Sequence, residues 1–167
     1  MPIDPTKWLD AIDGADEALD REAQLALGGL GPDDDVVMQP IFDALSSPSE
    51  KRVFWAVAAL TQLEGRSLPA LPRVAELATG DAAFGVRQAA VGALAKIAPG
   101  EATARNALRR ALADESPFVR RQALQAFVAV PSHTSEELAA IDARRDDPDS
   151  AVRASFEIAR RHIRLRN

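Results

Sequence analysis

Cysteine and tyrosine are absent from the 167 residues, and only two histidines and two tryptophans occur. Without cysteine there is no disulfide framework, thiolate metal site or cysteine nucleophile, and the composition suits a reducing compartment. His133 and His162 are the only histidines, so no metal site and no cofactor are expected. No stretch approaches the roughly 18 uninterrupted apolar residues of a membrane span. The opening MPIDPTKWLDAIDG has neither the basic segment nor the apolar run of a signal peptide. A cytoplasmic location away from membranes is expected. Phosphate-loop, dinucleotide-fingerprint and nucleophile-elbow motifs are missing too. The expectation is a protein without catalytic residues, not an enzyme.

Aromatics make up 5% of the chain, while hydrophobic residues reach 47%, most of them Ala, Leu and Val. Small and unbranched apolar side chains suit many helices in close contact better than a few sheets. The net charge of -5 is unevenly placed. Residues 1–100 carry 8 basic and 15 acidic side chains, residues 101–167 carry 12 and 10, and five arginines face one Glu157 from Arg153 onward. A strongly basic surface normally steers nucleic acid, so nucleic acid is an unfavoured partner.

The chain is organised by a repeat of 33 residues. Val53, Val86, Val119 and Val152 recur at that spacing, and Arg87, Arg120 and Arg153 follow the last three directly, with Phe54 in the earlier place. Asp81, Asp114 and Asp147 each precede a valine by five residues. Ala90, Leu94 and Ile97, then Ala123, Phe127 and Val130, fall on one helical face counted from their anchors. Leu19 with Ala23, Leu27 and Leu30 fits as a shifted fifth copy. Shorter helical stretches are expected over 36–45, 69–79, 102–113 and 136–145, so each repeat is a helical pair. Ser116–Pro117 reads as a helix start and Thr134 with Glu137 as a capping box. Pro99 and Pro131 close the preceding helices. Pro40 and Pro72 fall inside first helices, which are therefore expected to be kinked. The Asp33–Asp35 run reads as a solvated turn capping the next helix.

The segments DAAFGVRQAAVGALAKIAP, DESPFVRRQALQAFVAVP and DPDSAVRASFEIARRHI resemble the HEAT repeat, most closely its short bacterial, phycobilisome-lyase-like variety. The resemblance is strong from about Ser49 onward and weak before Val36. It implies an all-α fold, a right-handed α-solenoid of about five antiparallel pairs, HEAT/armadillo-like, with second helices lining the concave side. The whole chain, 1–167, then forms one repeat domain: a capping pair over 1–34 and repeats over 35–65, 66–98, 99–131 and 132–167. Arg160, where earlier repeats have Leu94 and Phe127, suits a terminal cap. The resemblance places Asp81, Asp114 and Asp147 in turns and Arg87, Arg120 and Arg153 at the starts of second helices, where each guanidinium can bond a neighbouring aspartate or turn carbonyl. This ladder is read as structural.

Positions two and nine residues after each anchor point away from the core. They are Trp55, Gln62, Gln88, Ala95, Arg121, Val128, Ala154 and Arg161, and Gln125 shares their face. Trp55, Gln62, Gln88, Arg121, Gln125 and Arg161 are the candidate partner-binding residues, with Trp and Arg as anchors for a peptide; the alternative is that N-terminal helices cover Trp55. The expected function is a scaffold or adaptor binding a protein or peptide, as a monomer or weak dimer. Two alternatives come from resemblance. One is a DNA-binding solenoid similar to alkylpurine glycosylases, using arginines between Arg105 and Arg121 and near the C-terminus. The other is a chromophore-lyase-like accessory protein. The His-Glu pairs of HEAT-like deoxyhypusine hydroxylases do not occur in this sequence.

Overall fold

Turns rich in Pro, Gly, Ser and Asp cut the chain into helices that come in pairs. The structure, a computed structural model, describes residues 1–14, 16–80 and 83–166. The pairs are α1 (Thr6–Ala11) with α2 (Glu17–Gly28), α3 (Gln39–Ala44) with α4 (Glu50–Leu63), α5 (Leu71–Thr79) with α6 (Phe84–Ile97), α7 (Ala102–Ala111) with α8 (Pro117–Ala129), and α9 (Ser135–Asp142) with α10 (Ser150–Arg166). A 3-10 helix over Glu64–Ala70 leads into α5. The second helices α2, α4, α6, α8 and α10 pack in that order, while α1 meets α3 and α5 meets α7 in the other layer. This is a helical solenoid.

Side chains that take up orphan backbone N–H groups start several of these helices. Asp16 accepts from Ala18 and Leu19, and Ser49 accepts from Arg52. Thr134 and Glu137 form the expected reciprocal capping box at α9. At α8 the expectation holds only in part. Pro117 opens the helix after Ser116, but the Ser116 side chain makes no capping bond, and Asp114 instead accepts from the Ser116 N–H at 2.8 Å.

Three sequence expectations are corrected. Pro40 and Pro72 stand in the first turns of α3 and α5 rather than in helix interiors. There a missing N–H costs no helical bond, so they open their helices instead of kinking them. Leu19, expected as a buried anchor, is 52% exposed, because the packing of α1 and α4 on α2 leaves that side open; Ala23, Leu27 and Leu30 are buried as expected. The Asp33–Asp35 run does not cap α3. The Asp34 carboxylate accepts from the Gly31 N–H, and the Asp35 carbonyl accepts from the Ile3 N–H. An isolated parallel bridge between Ile3 and Val36 pins the N-terminal segment there.

Stacking explains which faces are apolar. On α6 the residues Val86, Ala90, Val91, Ala93, Leu94 and Ile97 are all buried, since the helix is covered by α5 and by α4 and α8 on either side. The same positions on α8, from Val119 to Val130, are likewise buried. On α10 the pattern changes on one side only. Glu157 takes the place of Val91 and Leu124 and is exposed, and Arg160 takes the place of Leu94 and Phe127 and pairs with Asp142 at 2.9 Å. The outer side of the last pair is therefore polar.

Phe127 is fully buried at the centre of the single core cluster. Phe127→Ala is expected to lower unfolding free energy by about 3–5 kcal/mol through the cavity it leaves. A urea titration checks this, and an unchanged midpoint would contradict the stacking register.

Candidate functional site

The repeated Arg and Asp join successive repeats. Arg87 on α6 donates to both carboxylate oxygens of Asp114, at 2.8 and 3.0 Å, and also to Glu115. Arg120 on α8 repeats the bond one pair later, reaching Asp147 at 2.9 and 2.7 Å. Its other nitrogen donates to the carbonyls of Asp114 and Glu115, tying its own turn. Arg153 has only the turn half of this arrangement, donating to the carbonyls of Asp147 and Pro148. Asp81 lies outside the described residues. A second tie, Arg105 to Glu137, runs between the first helices α7 and α9 at 2.8 and 2.5 Å.

Arg87, Arg120 and Asp147 are all buried, and the pairing sets their protonation. The bonds to Asp114 and Asp147 raise the Arg87 and Arg120 guanidinium pKa values above their usual ones, against the cost of burial. Burial alone pushes the Asp147 carboxyl up, but hydrogen bonds from Arg120 and the Asp149 N–H outweigh it and hold the carboxyl below its ordinary value. Glu137 is lowered in the same way, with burial outweighed by Arg105 and Thr134. These carboxylates are committed to structure.

The inner face differs in chemistry. Three successive second helices, α4, α6 and α8, line a trough of about 490 Å³. Its floor is small: Ala58, Ala89 and Gly92. Its sides carry the amides Gln62, Gln88 and Gln122, with Phe54 and Lys96 at the margins. Gln122 reaches from α8 across to α6, so that a Cβ on Gly92 would stand 3.2 Å from its amide nitrogen. Two of the six sequence candidates, Gln62 and Gln88, line this trough. Arg121 lies beside it, its guanidinium 5.8 Å over the Phe118 ring, and Gln125 and Arg161 are exposed further along the same register. Trp55 is half-buried, edge-on to Phe54 at 5.4 Å and against Gly28 of α2. It walls the first repeat instead of standing free.

Sequence reasoning did not single out Phe84, Phe118, Gly92 or Gln122. Phe84 and Phe118 begin α6 and α8, are 53% and 49% exposed, and stack at 5.6 Å with an interplanar angle of 29°. A phenylalanine set in the polar turn sequences DAAFG and ESPFV, just before the anchor valine, was the available signal. For Gly92 the signal was a glycine inside an otherwise strong helix.

His133 bonds the Phe127 carbonyl and His162 the Ile158 carbonyl. Glu137, four residues beyond His133, is taken by Arg105 and Thr134. Among the described residues no group of three or more His, Cys, Asp or Glu side chains is placed to hold a metal ion. No described helix is long and apolar enough to cross a membrane.

The family profile described as HEAT repeats matches residues 71–160. No curated protein matches the chain. Among solved structures, the complex of CpcE and CpcF of phycocyanin lyase from Nostoc sp. PCC7120 is similar, with a TM-score of 0.76 and 17% identity over 93% of this chain and 97% of that one. A designed armadillo repeat protein in complex with the peptide (KR)4 gives 0.66 and 21%, over 93% and 80%. Human deoxyhypusine hydroxylase in complex with glycerol gives 0.63 and 22%, over 95% and 61%. At these identities the likeness is one of fold.

The ladder yields two expectations. Arg120→Ala leaves the buried Asp147 carboxylate without its main partner and is expected to cost about 3–5 kcal/mol, whereas Arg153→Ala, at an exposed site, should cost about 0–1 kcal/mol; thermal unfolding of both variants checks the contrast. Asp147 and Glu137 are depressed in the folded state, so the unfolded chain binds more protons as pH falls. Their contribution is complete above the ordinary carboxylate range, about pH 4–5, and is lost as the pH drops below it. Asp147→Asn should flatten that acid limb of the stability profile.

Proposed function

Because the chain belongs to the HEAT-repeat family, we propose that it is a non-catalytic scaffold that holds an extended segment of a partner protein along its concave face. The trough across α4, α6 and α8 carries this reading. Stacked repeats present long concave surfaces, and this one has a floor of small residues that lets a backbone approach closely. Each Gln amide both donates and accepts, so the row Gln62, Gln88 and Gln122 matches the alternating N–H and C=O groups of an extended chain. The exposed Phe84–Phe118 stack beside the trough offers an apolar contact for a side chain of the same segment, and Arg121 adds a charged one. A designed protein of similar fold holds a peptide, and the lyase relative is a complex of two proteins; both precedents support the reading.

Gly92→Leu tests it, because the new side chain fills the floor and displaces only the flexible end of Gln122. Replacing a mid-helix glycine with leucine favours the helix by roughly 1 kcal/mol, so the variant should keep or raise its Tm. Peptides selected on the wild-type protein by display are expected to lose binding to Gly92→Leu. Equal binding by the two proteins would move the site off the concave face.

A further inference from the structure

None of the residues lining the trough is Asp or Glu, in a chain that carries 25 acidic against 20 basic side chains. Neither α6 nor α8 contains a single Asp or Glu, and Glu50, the one acidic residue of α4, lines a different cavity with Arg73 and Glu76. The one acidic residue of α10, Glu157, stands at the position of Val91 and Leu124, on the outer end of the stack and not on the trough side. The cations on the inner register remain: Lys96 in the trough wall, Arg121 over Phe118, and Arg161 on α10. Among the described residues, no ion pair engages any of the three. Other arginines are divided: Arg52, Arg87, Arg105, Arg109 and Arg120 bind carboxylates of other helices or turns, whereas Arg153 meets only carbonyls and no ion pair engages Arg21, Arg110 or Arg164 among the described residues.

We propose that the segment held in the trough is an acidic stretch of a partner protein, with an apolar residue seated on the Phe84–Phe118 stack. This rests on the scaffold reading above and adds the sign of the ligand's charge. Complementary charge across a contact sets which partner is accepted and fixes its register. Lys96, Arg121 and Arg161 have no internal carboxylate to give up, so an incoming one meets no competitor. Lys96 and Arg161 are exposed and Arg121 is half-buried, so each such pair is modest and screened by salt. A basic segment would meet Lys96 in the wall and Arg121 beside it, and no acidic side chain among the lining residues. A nucleic acid fits less well, because a phosphate backbone needs many cations in line.

Fluorescence anisotropy with three labelled peptides of equal length, alternating Glu–Leu, Gln–Leu and Lys–Leu, tests the proposal, with single-stranded DNA of matched charge as a fourth probe. Glu–Leu should bind tightest, and its affinity should fall as salt is raised. The double variant Lys96→Glu, Arg121→Glu should weaken Glu–Leu binding by ~10-fold or more and reverse the preference toward Lys–Leu, with helicity unchanged. Wild-type binding of Gln–Leu or Lys–Leu as tight as that of Glu–Leu overturns the proposal, as does tighter binding of the DNA or no binding of any probe. If the neutral or basic peptide binds best and Gly92→Leu abolishes it, the groove stands and only the charge assignment falls. If Gly92→Leu leaves the binding intact, the groove reading falls as well.

Discussion

The bidentate bond from the arginine of one repeat to the aspartate of the next is the contact on which the other features of the solenoid depend. Surfaces of Ala, Leu and Val attract one another without direction, and two such helices can settle at several rotations with similar burial. A guanidinium fork on a carboxylate tolerates little rotation. Arg87 on Asp114 and Arg120 on Asp147 therefore decide which side of α6 meets α8 and which side of α8 meets α10. Desolvation offsets much of the attraction in such buried pairs, so their main contribution is register. The buried positions of α6 and α8, and the alignment of Gln88 with Gln122 across the trough, follow from that register.

The same geometry sorts arginines into two populations. Those at helix starts are fixed in the turn region, each holding a carboxylate or a row of carbonyls, and the bonds to Asp114 and Asp147 raise the pKa values of Arg87 and Arg120. Those on the inner register touch rings, amides or solvent. Net charge hides this division, because α6 and α8 carry no acidic residue while α2 alone carries Glu17, Asp20 and Glu22. Among the residues lining the trough Lys96 is the one that is charged, so the local sign there opposes that of the whole molecule.

Much of this was legible from spacing. The 33-residue period located the second helices, since recurrence of Val with Arg reports the same environment met again. The Thr134–Glu137 box was legible because a capping box is local. Pro40 and Pro72 were misplaced because propensity alone does not say whether a proline opens a helix or interrupts one; the turns before α3 and α5 decide it. Leu19 matched the template, yet burial depends on which neighbours are present, and none covers it. For the site, Gln62 and Gln88 could be placed from periodicity. Gly92 and the Phe84–Phe118 stack could not, because their meaning arises between repeats: a glycine facing a glutamine one helix away, and two rings that meet only after stacking.

The last pair can be read in the language of polymer growth. Arg153 retains the position from which Arg87 and Arg120 grip the following repeat, but its hydrogen bonds go to its own turn. Glu157 and Arg160 stand where Val91, Leu124, Leu94 and Phe127 supply cohesion to the next helix. In α10 the guanidinium that addresses a neighbouring turn is kept while two apolar contacts become charged, so the address and the adhesion of a repeat are separable properties of one helix.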